Sequence, residues 1–330
     1  MRIGKVTPAV LSQIVFSQLG KRRSDVLVHS ALGEDSTVID FGDSVVVLST
    51  DPITGAARNQ GWLGVHICCN DVAAMGAEPI GVLVTLLLDQ QTTVDQAARI
   101  MADVDRAARE LGIEVLGGHS EVTSAVTQPV VSFTAIGRAS KSSYVTSAGA
   151  RLGDALLMTK AAGLEGTAVL AADRATWLAP IVGIELLHRA AAFIDEISVV
   201  AEGIAAARAG ATAMHDATEG GILGAVYELA AASRLGVDLE TDLVPVRSET
   251  RAICQAFGID PLRLVSSGAL VIATGEVERV SSALTDLGIE VATIGRLTSG
   301  PRRTLTSAGE RELAPPEGDE LWVALARCTE

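Results

Sequence analysis

Asn70-Asp71-Val72-Ala73-Ala74-Met75-Gly76-Ala77-Glu78-Pro79 is the stretch on which the fold turns. It closes a run from Gly61 to Met75, opened by Asn59-Gln60-Gly61, whose apolar residues recur at helical spacing. From Pro79 an apolar run continues to Leu88. It is too short to span a membrane and has the length of a buried strand. Asp71 falls inside the predicted helix, four residues before Met75, among small apolar neighbours. A carboxylate buried there is costly unless it is paired or binds a metal.

Working outward, three further acidic spots stand at predicted element ends. They are Gly33-Glu34-Asp35-Ser36, Ser49-Thr50-Asp51-Pro52 and Gly117-Gly118-His119-Ser120-Glu121. The second follows a β-branched strand, Val45–Thr50, and the third follows Ile113–Leu116. Each acid alone reads as readily as a helix cap or a turn residue. Taken with Asp71, the set favours a metal. Mg²⁺ takes oxygen ligands, and phosphoryl transfer needs a cation on the phosphate oxygens. No Gly-x-x-x-x-Gly-Lys-Ser/Thr loop occurs, and no Gly-x-Gly-x-x-Gly opens a helix. The P-loop and Rossmann readings therefore lack their motifs.

The rest of the chain alternates strands and helices. Val94–Leu111 is a helix on the spacing of Ala97, Met101, Val104, Ala108 and Leu111. Ala9–Leu19 is a short helix and Val130–Ile136 a strand. Residues 139–153 are polar and rich in Gly and Ser, so domains are expected at 1–140 and 151–330. In the second half a strand is expected at Ala155–Met158 and helices near 166–172, 180–193 and 196–209. Another helix is expected to start after Gly220-Gly221 and run to Ser233. Strands Ala269–Ala273 and Val291–Ile294 flank a helix at Val277–Leu287. From Gly309 on, the chain is expected to pack loosely. The fold class is α+β, as two layered domains.

Thr218-Glu219-Gly220-Gly221 precedes an apolar helix. A glycine pair at a helix start either exposes N–H groups to an anion or serves close packing beneath a cap. His215 and Asp216 stand just before it, as candidates to orient substrate or move a proton.

Composition limits the function classes. Of 330 residues 48% are apolar but only 3% aromatic, so the cores must be aliphatic. The net charge of −14 disfavours nucleic acid and anionic membrane as partners. It does not disfavour nucleotide if the acids gather Mg²⁺. Cys68, Cys69, Cys254 and Cys328 form no Cys-x-x-Cys pair, and the first three read as buried thiols. No signal-peptide pattern opens the chain, and a cytoplasmic location is expected.

The ordered set Gly-Glu-Asp-Ser, Thr-Asp-Pro, Asn-Asp-Val-Ala-Ala-Met-Gly-Ala-Glu-Pro and Gly-Gly-His-Ser-Glu resembles the N-terminal half of the aminoimidazole ribonucleotide synthetase (PurM-like) superfamily. His215-Asp216-Ala217-Thr218-Glu219-Gly220-Gly221 is similar to that family's His-Asp-x-Thr-x-Gly-Gly. The likeness spans about residues 30–300 and leans toward the HypE branch. It implies a homodimer whose N-terminal sheets join into a β-barrel, with ATP bound nearby. It implies Mg²⁺ on Asp35, Asp51 and Asp71. Asn70, Gly117, Gly118, Glu121, Thr218, Gly220 and Gly221 would serve the nucleotide, and His119, His215 and Asp216 the chemistry. The expected activity is ATP-dependent phosphoryl transfer to an oxygen of a small molecule. HypE relatives end in a reactive cysteine, usually Pro-Arg-Ile-Cys, whereas this chain ends Ala326-Arg327-Cys328-Thr329-Glu330. A thiocarbamate dehydration on Cys328, with a carbamoyltransferase partner, is the second expectation. A nucleotide-sensing dimer without turnover is the third.

Overall fold

The computed structural model describes residue 4 and residues 6–327. Lys5 and Cys328 lie outside them. The first sheet has six strands: β1 (Val26–Val28), β2 (Thr37–Phe41), β3 (Ser44–Ile53), β4 (Glu78–Leu88), β5 (Glu114–Val122) and β6 (Val130–Ser140). Their order is β1-β2-β3-β6-β4-β5, with only β4 and β5 parallel. Helices α1 (Pro8–Ile14), α2 (Gln60–Ala74) and α3 (Val94–Leu111) accompany it.

Every residue of α2 is buried. Apart from Gln60, His66, Asn70 and Asp71 its residues are apolar or small, which suits a helix enclosed on every face. It packs on β3 and β6, and α3, α7 (Val200–Ala209) and β8 (Ala213–Asp216) close around it. Close approach depends on glycine: a Cβ on Gly64 would sit 2.0 Å from the Phe133 ring. Gly64→Ala should therefore cost about 1–3 kcal/mol by overpacking, read from urea unfolding. An unchanged midpoint would mean that the ring has room to move. Helix α3 is amphipathic. It starts at a Thr93–Gln96 capping box and ends on a left-handed Gly112.

The second sheet takes β7 (Ala155–Thr159), β8, β9 (Gly236–Glu240), β10 (Leu270–Thr274), β11 (Val291–Thr298), β12 (Arg302–Thr306) and β13 (Gly309–Glu312). Its order is β13-β12-β9-β11-β7-β10-β8, so β8 is an edge strand. Around it lie α4 (Leu164–Asp173), α5 (Ala175–Val182), α6 (Ile184–Ala191), α8 (Gly221–Ala232), α9 (Ser248–Phe257), α10 (Val277–Thr285) and α11 (Glu320–Arg327). The fold is mixed α+β with one sheet in each half, and the first sheet is open within one chain.

Several expectations need correction. The helix expected at 180–193 is broken at Gly183 (φ 85°) into α5 and α6, followed by a 3₁₀ turn over Ala192–Glu196. The helix expected to reach Leu19 ends at Ile14. The strand expected to stop at Leu116 runs on through Gly117 and Gly118 to Val122. Glycine is needed there because a Cβ on Gly118 would lie 1.8 Å from the Val84 carbonyl oxygen on β4. The C-terminal segment does not pack loosely. Leu313, Asp319, Leu321 and Ala324 are all buried.

Candidate functional site

The two halves meet at a cleft of about 590 Å³, within the usual range for small-molecule sites. Asp51 reaches it from β3, Asp71 from α2, Asp35 from the loop before β2, and His215 and Asp216 from the end of β8. This convergence follows from topology. β3 and β8 both pack on α2, so acids distant in sequence share one end of that helix.

Asp71 is buried among like charges. The Ser49 hydroxyl donates to its Oδ2 at 2.5 Å, and Asp51 and Asp216 are its carboxylate neighbours within hydrogen-bond contact. Burial, and next the charge on Asp51, hold the Asp71 carboxyl well above the usual carboxylate range. Burial, then Asp35, pushes Asp216 up to about 7. Glu34, beside Asp35, is also pushed up to about 7, by burial first and Asp35 second. One oxygen each of Glu34, Asp35 and Asp216 is buried without a hydrogen-bond partner.

His215 lies between two carboxylates, with Nδ1 against Asp35 and Nε2 2.9 Å from Glu228 on α8. Burial alone pulls its pKa down. The adjacent Asp35 and Glu228 outweigh that and raise it well above normal. The ring thus ties the loop of the first half to α8 of the second through both nitrogens. One ligand atom each from Asp35, His215 and Asp216 lies within 4.8 Å of the other two, a spacing that could hold a cation if His215 were neutral.

Other expected residues are placed differently. Asn70 is fully buried and spends its amide on backbone: Nδ2 donates to Ile197 O and Oδ1 accepts from Val199 N–H, both at 2.7 Å. It stitches α2 to the loop before α7. Gly220 and Gly221 do not line the cleft, although Thr218 does. The Gly220 N–H donates to Asp319 Oδ2 at 2.7 Å and that of Gly221 to Thr218 O at 3.0 Å. The anion at this helix start is the chain's own Asp319, which also accepts from the N–H groups of Val265 and Leu321. Gly221 serves packing as well, because a Cβ there would meet the Leu262 carbonyl at 2.6 Å. Gly117, Gly118, His119 and Glu121 lie on the exposed edge strand β5, away from this cleft, with His119 and Glu121 3.1 Å apart.

Sequence reasoning missed Glu228, Glu165, Asp319 and Trp322. Glu228 and Glu165 had a signal, each being a charge inside a helix of small and apolar residues. Asp319 and Trp322 had none, because the tail they occupy reads as polar and Pro-containing. Burial, opposed by the Ser267 hydroxyl, holds Glu165 at about 7, and burial holds Asp319 at about 7.

These raised values give stability a pH dependence. Between about pH 4.5 and 7 the folded chain keeps a proton on Glu165 that the unfolded chain has released. Stability from this group is therefore highest at the acid end and falls as pH rises through that window. Glu165→Gln should remove the loss, gaining roughly 3 kcal/mol over wild type at pH 7.5 and little at pH 4.5. Urea unfolding at both pH values measures it; a difference independent of pH would refute it.

Comparison with known proteins agrees with this fold. The model of the AIR synthase related protein N-terminal domain matches residues 33–139, and that of its C-terminal domain matches residues 151–307. Carbamoyl dehydratase HypE of Azotobacter vinelandii is 30% identical over 82% of this chain and 80% of its own length. The HypE chain of a HypE–HypF complex superposes with a TM-score of 0.74 at 21% identity, covering 93% of this chain and 99% of that one. AaThiL in complex with AMPPCP and TMP gives 0.76 at 18% identity, covering 96% and 98%. Among the described residues no helix is long and apolar enough to cross a membrane. Two family domains in the expected order and a HypE relative along most of its length place this chain in the AIR synthase related family, in its HypE branch.

Proposed function

We propose that the chain is a Mg²⁺-dependent, ATP-using enzyme that activates an oxygen of a small molecule by phosphoryl transfer. The observation that carries this reading is the convergence of Asp35, Asp51, Asp71 and Asp216 on one cleft, with buried carboxylate oxygens left unpartnered. Such a set is unstable on its own account and suits a hard divalent cation. Asp35, Asp51 and Asp71 would hold Mg²⁺, which when bound neutralises charge on the phosphate oxygens. His215 holds Asp35 in place through its ion pair, and Ser49 fixes the Asp71 carboxylate. Asp216 stands where an acceptor hydroxyl could lose its proton. The AMPPCP bound to AaThiL and the ATP bound in a solved HypE structure support the nucleotide.

A homodimer belongs to the same reading. Strand β5 leaves an open sheet edge, with Ile80, Leu83, Leu116 and Val122 exposed on β4 and β5. A second copy would cover them, completing the barrel and bringing Gly117, Gly118, His119 and Glu121 toward the nucleotide. The deciding experiment is calorimetry with ATP, with and without Mg²⁺, followed by ADP release against a panel of small hydroxyl and carboxylate acceptors. Magnesium-dependent uptake with turnover is the expected result. Uptake without ADP release would favour a nucleotide sensor, and no uptake would reject both.

One observation favours a HypE-like variant of this chemistry. Carbamoyl dehydratase HypE of Azotobacter vinelandii is a relative along 82% of this chain. A thiocarbamate on Cys328, delivered by a carbamoyltransferase partner, would then be the group activated and dehydrated. Cys328→Ala should abolish carbamoyl-dependent ATP turnover by this route; unchanged turnover rejects it.

A further inference from the structure

The loop Thr54–Ala56, which borders the main cleft, also borders a second cavity of about 580 Å³. Arg58 from the same loop, Arg99 from α3 and Arg174 between α4 and α5 all line it. Three guanidinium groups on one cavity are unexpected in a chain of net charge −14. Among the described residues, Arg58 and Arg99 have no ion pair or side-chain hydrogen bond. Arg174 donates through Nη1 to the Asp173 carbonyl at 3.1 Å, while its Nε is buried with no acceptor. Two acids share the wall, so three guanidinium groups face two carboxylates there. Asp103 pairs with Arg106 at 3.4 Å, and Asp173 accepts the Ala57 N–H at 2.9 Å. Gln96 and Gln128 add neutral hydrogen-bonding groups.

A buried donor without an acceptor costs free energy, and a guanidinium fork matches the oxygens of phosphate or carboxylate. The main cleft repels a bare anion, whereas this cavity attracts one. We propose that Arg58, Arg99 and Arg174 bind the oxyanion group, phosphate or carboxylate, of the acceptor molecule whose reacting oxygen is activated in the neighbouring cleft. The role as an acceptor subsite rests on the phosphoryl-transfer reading above.

The test uses the full chain stripped of divalent metal with EDTA and then dialysed free of it, so that no cation recruits the anion to the aspartates and no chelator carboxylate competes. Inorganic phosphate and succinate are titrated separately by calorimetry at matched ionic strength. Wild type should bind at least one of them saturably, and the tighter one names the group. Arg58→Gln/Arg99→Gln should weaken that binding about tenfold or more. Both side chains are exposed, so this variant should fold, and circular dichroism checks it. Arg174→Gln should weaken binding similarly, and Arg58→Lys, which keeps the charge but loses the fork, should weaken it less than Arg58→Gln. No saturable binding by wild type, or equal binding by the double variant, overturns the proposal. The wild-type Mg²⁺-ATP titration tests the parent reading separately. Nucleotide uptake without anion binding sinks only the Arg site. Anion binding that needs the arginines, with no nucleotide uptake, supports the Arg site as an anion site and sinks the catalytic reading.

Discussion

Asp71→Asn should lower Mg²⁺-ATP turnover by about a thousandfold or more while leaving the metal-free protein at least as stable as wild type. The turnover loss corresponds to roughly 4 kcal/mol of transition-state stabilisation. The amide keeps the shape of the buried side chain and can accept the Ser49 hydrogen bond, so packing on α2 is preserved. It removes a carboxyl that burial and Asp51 already hold well above its normal pKa. In the metal-free fold that group is a liability, and on the proposed reading a bound cation would make it a ligand. Stability and activity should therefore move in opposite directions, as expected where a site is built from mutually repelling charges. Steady-state ADP release and urea unfolding in EDTA measure the two. Turnover within tenfold of wild type would show that Asp71 holds no cation.

The second large effect is on stability. His215→Ala should destabilise the chain by about 3–5 kcal/mol, because it removes the buried partner that Asp35 of the first half and Glu228 of the second share. It also leaves a cavity where the ring stood. A catalytic base with no structural role would behave differently: its removal would lower turnover and leave unfolding unchanged. Both ring nitrogens face carboxylates, so the structure assigns His215 first to joining the two halves. Urea unfolding of the variant in EDTA is the measurement, and a loss under 1 kcal/mol would refute this assignment.

Much of the site was legible because its acids sit where isolated acids rarely do. Asp71 in an apolar helix stands out in a linear reading, since a buried charge needs a reason, whereas Asp35 and Asp51 at element ends read as readily as caps or turns until they are taken with it. The role of Asn70 was not legible. Its neighbours in sequence are those of Asp71, yet its amide points at the Ile197–Val199 backbone, a contact that exists only once the halves dock. Gly220-Gly221 misled for a related reason. A glycine pair at a helix start looks the same whether its N–H groups await a ligand or a carboxylate nearly one hundred residues on.

The sequence by itself determined the alternation of strands and helices, the aliphatic cores and the acidic residues at their ends. Periodicity and burial cost are local properties, readable from neighbours along the chain. Only the tertiary structure decided which acids share a cleft, that His215 bridges the halves, that Asp319 fills the helix start, and that Arg58, Arg99 and Arg174 meet on one wall. Those facts depend on contacts between residues far apart in sequence, and such contacts are set by how sheets and helices pack rather than by any local pattern.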